Sequence, residues 1–175
     1  MTIHDDHPFR DATPDPVRQL RARLGGAVTL WTSGFGDDVF EWAGLTVTSV
    51  LVANGEPARL LALLDPDSDL TATLASTGRA AVAVLTWEDR ALADAFAGTA
   101  PAPGGPFRQT AFTASPWGPR LASATTWAGV RLESSTPVGW STLVTCVVDE
   151  VTVGEGDALI HRRGRYQRPT DPGPG

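Results

Sequence analysis

The run Gly44-Leu45-Thr46-Val47-Thr48-Ser49-Val50-Leu51-Val52-Ala53-Asn54 limits the fold more than any other stretch of the chain. It alternates like a strand. Leu45, Val47, Leu51 and Ala53 fall on one face, interrupted by Ser49, and Thr46, Thr48, Val50 and Val52 fall on the other. Its β-branched content suits a pleated, half-buried surface. Asn54-Gly55-Glu56-Pro57 then reads as a turn. The expectation is one strand across Gly44–Asn54. Its hydroxyls, on Thr46, Thr48 and Ser49, either serve only to build the strand or offer short donors, beside backbone N–H groups, to a flat ligand with polar edges.

Similar short runs flank it, each closed by turn residues. Eighteen glycines and fourteen prolines supply the many turns that such spacing requires. Strands are expected at Ala27–Thr32, Arg59–Leu64, Ala80–Leu85, Thr126–Glu133, Thr142–Val153 and Ala158–Arg162, the fifth with a bulge near Asp149-Glu150. Three helices are expected between them. Asp15 caps the first, with Pro16 at its opening position and Val17, Leu20 and Leu24 on one face. Ser68 caps the second, which buries Leu70 and Leu74 and stops at Gly78. Thr86-Trp87-Glu88-Asp89 has capping-box spacing before the third, whose apolar face is Leu92, Ala95 and Phe96. Seven to nine short strands with two or three helices give a mainly β fold with flanking helices, closed or partly closed as a barrel. The domain is expected over 14–168, between a polar arm at 1–13 and a Pro/Gly tail at 169–175.

Several function classes are excluded on composition. The net charge of −6 argues against non-specific nucleic-acid or membrane binding. No apolar run reaches membrane-spanning length and no signal pattern opens the chain, so the expected compartment is the cytoplasm. Cys146 is the only cysteine, which rules out an intrachain disulfide; within Leu143–Val148 it reads as a small buried apolar residue rather than a nucleophile. His4, Asp5, Asp6 and His7 have metal-binding side chains, but a solvated tail offers no rigid site, so no metal is expected. Neither Gly-x-Ser-x-Gly nor a Walker-type phosphate loop occurs, and no catalytic residue is assigned. The helix start at Ser68 either caps itself or, with Thr71, gives hydroxyl donors to a phosphate. Asp65, Asp67 and Asp69 surround it, so a phosphate there needs a counter-charge such as Arg59 or Arg79.

Four blocks, in order, resemble the flavin reductase-like family of FMN-binding split β-barrels. They are Gly44–Asn54, Asp65-Pro66-Asp67-Ser68-Asp69-Leu70-Thr71, Leu92-Ala93-Asp94-Ala95-Phe96-Ala97 and Ala158-Leu159-Ile160-His161-Arg162-Arg163-Gly164-Arg165-Tyr166. The resemblance implies a split β-barrel and a homodimer with flavin at its interface. It implies NADH- or NADPH-dependent reduction of FMN, or of FAD, with the reduced flavin passed on in many members to a monooxygenase. It places Thr46, Val47, Thr48 and Ser49 along the flavin ring and Ser68 and Thr71 at the phosphate. It sets His161 and Tyr166 near the flavin and nicotinamide, and Phe96 either against the ligand or in the core. Such chemistry asks little of side chains, because the cofactor carries it.

One place departs from the pattern. Many members have Gly-Asp-His before the last long strand, with the histidine helping at the nicotinamide. This chain has Gly139-Trp140-Ser141. Trp140 either stacks on a ring or is a loop tryptophan. The departure sustains two further readings: a flavin-binding protein without nicotinamide oxidase activity, using another reductant such as a deazaflavin or storing or sensing flavin, and a ligand-free interaction module.

Overall fold

The computed structural model describes residues 15–168. The expected arm, with His4, Asp5, Asp6 and His7, and the expected tail lie outside them. The chain runs α1 (Pro16–Leu24), β1 (Gly26–Ala27), β2 (Thr29–Ser33), β3 (Ala43–Val47), β4 (Val50–Ala53), β5 (Arg59–Leu64), α2 (Asp69–Thr77) and β6 (Arg79–Val84). It continues through α3 (Arg90–Ala97), β7 (Phe112–Thr113), β8 (Arg120–Leu121), β9 (Trp127–Val138), β10 (Ser141–Thr152), β11 (Ile160–Arg162) and β12 (Arg165–Gln167).

Seven strands form one antiparallel sheet in the order β3-β2-β6-β9-β10-β5-β4. The single strand expected over Gly44–Asn54 is therefore two. β3 and β4 are consecutive in sequence yet occupy opposite edges, joined only by Thr48 and Ser49. The sheet curls until its edges meet at this corner, where the Leu63 amide donates to the Ser49 carbonyl at 3.1 Å. The local alternation is right on both sides of the corner. What sequence periodicity cannot carry is the change of partner, from β2 to β5, because pairing is non-local.

The curled sheet encloses one core. Trp31, Val47, Leu60, Ala62, Leu64, Val82, Val130, Val144 and Cys146 point inward, and α2 closes it with Leu70 and Leu74. A second core lies outside β2 and β6, where Val28, Leu30, Ala83 and Leu85 meet Leu92, Ala93 and Phe96 of α3, with Phe107, Leu121 and Leu159. β2 separates the two cores, and all five of its residues are buried. Its polar atoms are paired: Thr29 Oγ1 donates to the Val47 carbonyl at 2.7 Å and accepts from Trp31 Nε1 at 3.1 Å.

The long hairpin β9–β10 outruns the expected first strand at its end, because β9 continues five residues past Glu133. Beyond Arg131 β9 no longer pairs with β6, so Pro137 sits on an edge where no ladder donor is lost. The register shifts between Val148 and Glu150, where the bulge is expected, and also between Thr145 and Cys146. Burial pushes the Cys146 thiol up to about 12, with the Glu133 charge adding to it, so this cysteine is a core residue.

Candidate functional site

The corner between β3 and β4 is also where separate segments converge. A cavity of about 510 Å³ is lined by Ser49 of the corner, Leu63 and Leu64 of β5, Asp65, Trp140 and Ser141 of the β9–β10 turn, and Arg21 of α1. This volume falls within the roughly 300–1,000 Å³ of small-molecule pockets. Ser49 of Thr46–Ser49, Asp65 of Asp65–Thr71, and Trp140 and Ser141 of Gly139–Ser141 thus line one cavity, whereas Ser68 and Thr71 are not among its lining residues.

The four corner residues face different ways. Thr46 Oγ1 donates to the Ala93 carbonyl of α3 at 2.7 Å. Val47 is buried in the barrel core. Thr48 lies beneath β1: a Cβ on Gly26 would sit 2.5 Å from the Thr48 carbonyl oxygen, so only glycine fits there. Ser49 alone lines the cavity, and among the described residues its hydroxyl forms no hydrogen bond. The row of hydroxyls expected from one continuous strand is thus dispersed by the corner.

At the second segment the cap is built as expected. Ser68 Oγ accepts from the Thr71 amide at 3.2 Å. Ser68 Oγ and Thr71 Oγ1 also donate to the Asp65 carbonyl, at 2.9 and 2.7 Å. The two arginines considered as counter-charges are engaged elsewhere. Arg59 forms a two-pronged pair with Glu133, at 3.0 and 2.8 Å, and Arg79 Nη1 donates to the Pro116 carbonyl at 3.3 Å.

Phe96 is apart from the cavity. It is buried edge-on against Phe107 at 4.9 Å and against Phe112 at 6.0 Å, which makes it a core residue of α3. His161 and Tyr166 pair across the β11–β12 turn, ring centroids 5.3 Å apart. Tyr166 Oη donates to Asp94 Oδ1 at 2.5 Å, and burial together with that bond holds the phenol above its ordinary pKa. This contact fastens β12 to α3. The β11–β12 turn in turn rests on α1, where the Arg163 amide donates to the Ala22 carbonyl at 2.8 Å.

Sequence reading does not find Arg21 or Leu63 as cavity residues. Arg21 reads as a solvent-facing helix residue, and Leu63 as an internal strand residue. Trp140 it does mark. The structure leaves that side chain 95% exposed at the tip of the hairpin, where Gly139 takes φ +56°.

A family model, the flavin reductase like domain, matches residues 21–170. The chain belongs to this family. Solved structures share the fold of this flavin reductase-like chain at low identity. The NADH:FAD oxidoreductase of Streptomyces globisporus C-1027, solved with NAD and FAD fragments, is 19% identical, with a TM-score of 0.80 over 90% of this chain and 93% of that one. The styrene monooxygenase flavin reductase of Pseudomonas putida S12 is 22% identical, with a TM-score of 0.77 over 90% and 99%. The flavin reductase component of a bacterial two-component tryptophan halogenase is 19% identical, with a TM-score of 0.75 over 89% and 98%. A comparison with curated protein sequences found no match. No described helix is long and apolar enough to cross a membrane, and no described group of three or more His, Cys, Asp or Glu residues is placed to hold a metal ion.

Proposed function

We propose that this flavin reductase-like chain binds FMN or FAD at the corner cavity and reduces it with NADH or NADPH. The observation that carries the reading is the meeting of Ser49, Asp65 and Trp140 around one cavity of about 510 Å³ in a chain of this family. The lining fits a planar ring with polar edges: Leu63 and Leu64 supply apolar contact, Ser49 and Ser141 supply hydroxyls, and the corner supplies main-chain groups. A bound flavin would supply the redox chemistry, accepting from the nicotinamide donor the two electrons that no side chain of this cavity can take. The protein's own part is position and exclusion of water. Ser49 orients the ring edge, Leu63 and Leu64 remove water from its face, and Trp140 covers the open side. Ser68 and Thr71, whose hydroxyls are bonded to the Asp65 carbonyl, are the side chains that would hold the flavin phosphate.

The homodimer belongs to the same proposal. Val17, Leu20 and Leu24 of α1 are 73%, 59% and 75% exposed, and Leu51, Leu63 and Val138 add exposed apolar surface around the cavity. A second copy laid over this ring covers both the apolar surface and the cavity mouth. Leu20→Glu is expected to shift the sedimenting species from dimer to monomer and to weaken flavin binding with it; a variant that remains a dimer removes α1 from the interface. Delivery of reduced flavin to a monooxygenase is supported by the styrene monooxygenase reductase and the halogenase reductase component among the structures that share the fold.

Absorbance of the purified protein with FMN or FAD, followed anaerobically by NADH and by NADPH, tests the reading. Bleaching of the flavin band names the donor. A bound flavin that stays oxidised with both donors selects a second reading, flavin binding without nicotinamide oxidation, which Gly139-Trp140-Ser141 in place of Gly-Asp-His favours. Trp140→Ala then decides whether the tryptophan occupies the donor's place.

A further inference from the structure

All fourteen basic residues of this chain are arginines, and the net charge is −6. Five of the arginines nevertheless lie on two pieces that pack on each other, and one of them, Arg21, lines the corner cavity. Arg21 and Arg23 lie on α1, and Arg162, Arg163 and Arg165 lie on the β11–β12 turn that rests on it. The two pieces are joined at two points: the Arg163 amide bonds to the Ala22 carbonyl, and the Arg162 side chain packs on Gly25, 3.0 Å from where a Cβ would stand. All five residues are exposed, and among the described residues none forms an ion pair. Arg162 has only the neutral Gln167 amide, at 3.2 Å with its oxygen turned toward the guanidinium. Arg21 lines the cavity, and Asp65 is the cavity's acidic residue.

A second observation concerns the turn itself. Arg163 has φ +54° and is followed by Gly164 at φ +74°. A two-residue turn with both central residues left-handed calls for Asn-Gly or Gly-Gly. Arg163 is the only described non-glycine residue with positive φ. The strain is tolerated at a position where the backbone gains nothing from arginine, so the side chain is what the position uses.

We infer that this arginine rim binds the diphosphate of the dinucleotide donor whose nicotinamide enters the corner cavity. The inference rests on the nicotinamide-dependent reading above and adds where the donor's charged half lies. Guanidinium groups match phosphate oxygens two at a time, and a concentrated positive rim on an acidic protein directs an anionic ligand to one side of the cavity. The nicotinamide enters from the open side at Trp140, against the flavin ring that Ser49 orients, and the diphosphate goes away from Asp65 toward α1 and the β11–β12 turn.

The test compares the wild type with the triple variant Arg162→Gln, Arg163→Gln, Arg165→Gln in full-length protein. Two donors are used: NADH, and reduced nicotinamide riboside, which carries no phosphate. The triple variant is expected to raise KM for NADH about tenfold or more, the size of one or two lost charge-assisted contacts. KM for the riboside, kcat and flavin affinity stay within about twofold. Replacing the three arginines by lysine restores part of the NADH affinity. Arg163→Gly separates a structural role from a binding one: it relieves the left-handed strain and raises Tm, yet raises KM for NADH. Equilibrium binding of ADP-ribose to wild type and variant is measured alongside, so that the rim is tested even without turnover. Weaker ADP-ribose binding by the variant supports the inference. Equal ADP-ribose binding, an unchanged KM for NADH, or an equal loss with both donors overturns it. A wild type that binds flavin and ADP-ribose but oxidises no nicotinamide defeats the reductase reading while leaving the rim in place.

Discussion

α1 and α2 are built to one plan and used in opposite ways. Each has nine residues, each is opened by a side-chain cap, Asp15 to the Val17 amide and Ser68 to the Thr71 amide, and each is closed by a glycine. α2 buries Leu70 and Leu74 in the barrel core. α1 buries none of its residues. Its most enclosed side, at Ala22, meets the β11–β12 turn, and at 100° per residue Val17, Leu20 and Leu24 fall roughly 140–160° away from it. The apolar stripe of α1 therefore points straight out from the protein. Caps decide where a helix begins and ends, and packing decides what its apolar face is for. Three apolar side chains left in water forgo about 1.5–3 kcal/mol each on full burial, which is the driving force available to a second copy.

Substitutions that act on one helix and spare the other probe this contrast. The largest effect is expected from Leu74→Ala, which opens a cavity in the barrel core and costs about 2–5 kcal/mol in denaturant unfolding. A loss below 1 kcal/mol means that α2 is no better seated than α1. The barrel core also contains its own reporter. Cys146 stays protonated in the folded state up to about 12, whereas the unfolded thiol ionises near 8.5. Its folded pKa is raised, so its contribution is fully present below the unfolded value and is lost as pH rises toward the folded one. Stability is expected to fall by up to about 1.4 kcal/mol per pH unit over that range, and Cys146→Ala is expected to flatten this limb. Thiol labelling at pH 8 should be accelerated by Leu74→Ala and unmoved by Leu20→Ala. Next come the caps: Asp15→Ala and Ser68→Ala are each expected to cost about 1 kcal/mol of helix stability. A Ser68 effect without an Asp15 effect shows that α1 contributes nothing to the protomer's cooperative unit. The smallest effect belongs to Leu20→Ala, expected within about 0.5 kcal/mol for the isolated protomer, because an exposed side chain loses little by truncation.

What could be read from the sequence follows the same division between local and non-local causes. The caps at Asp15, Ser68 and Thr86, the stop at Gly78, and the bulge near Asp149-Glu150 are local chemistry, and sequence and structure agree on each. The burial of Cys146 follows from its apolar neighbours. The corner at Thr48-Ser49 is different. No glycine or proline marks it, and the period of two runs on through both strands, so only the pairing partners reveal the break. The sequence leaves Phe96 open between core and ligand because a helix pattern gives a buried face without saying what covers it. Arg21 and Arg162 lie some 140 positions apart, and no spacing rule joins them; it takes the β11–β12 turn resting on Ala22. Trp140 is legible as a departure from the family pattern, and its exposure is not.

The two edges of the main sheet are held together by the two residues Thr48 and Ser49, and one of these lines the cavity. The clasp of the barrel and the floor of the site are thus the same piece of backbone. A ligand that presses on Ser49 grips the chain where β3 ends and β4 begins, and amide hydrogen exchange is expected to slow in both strands together, although five other strands separate them across the sheet.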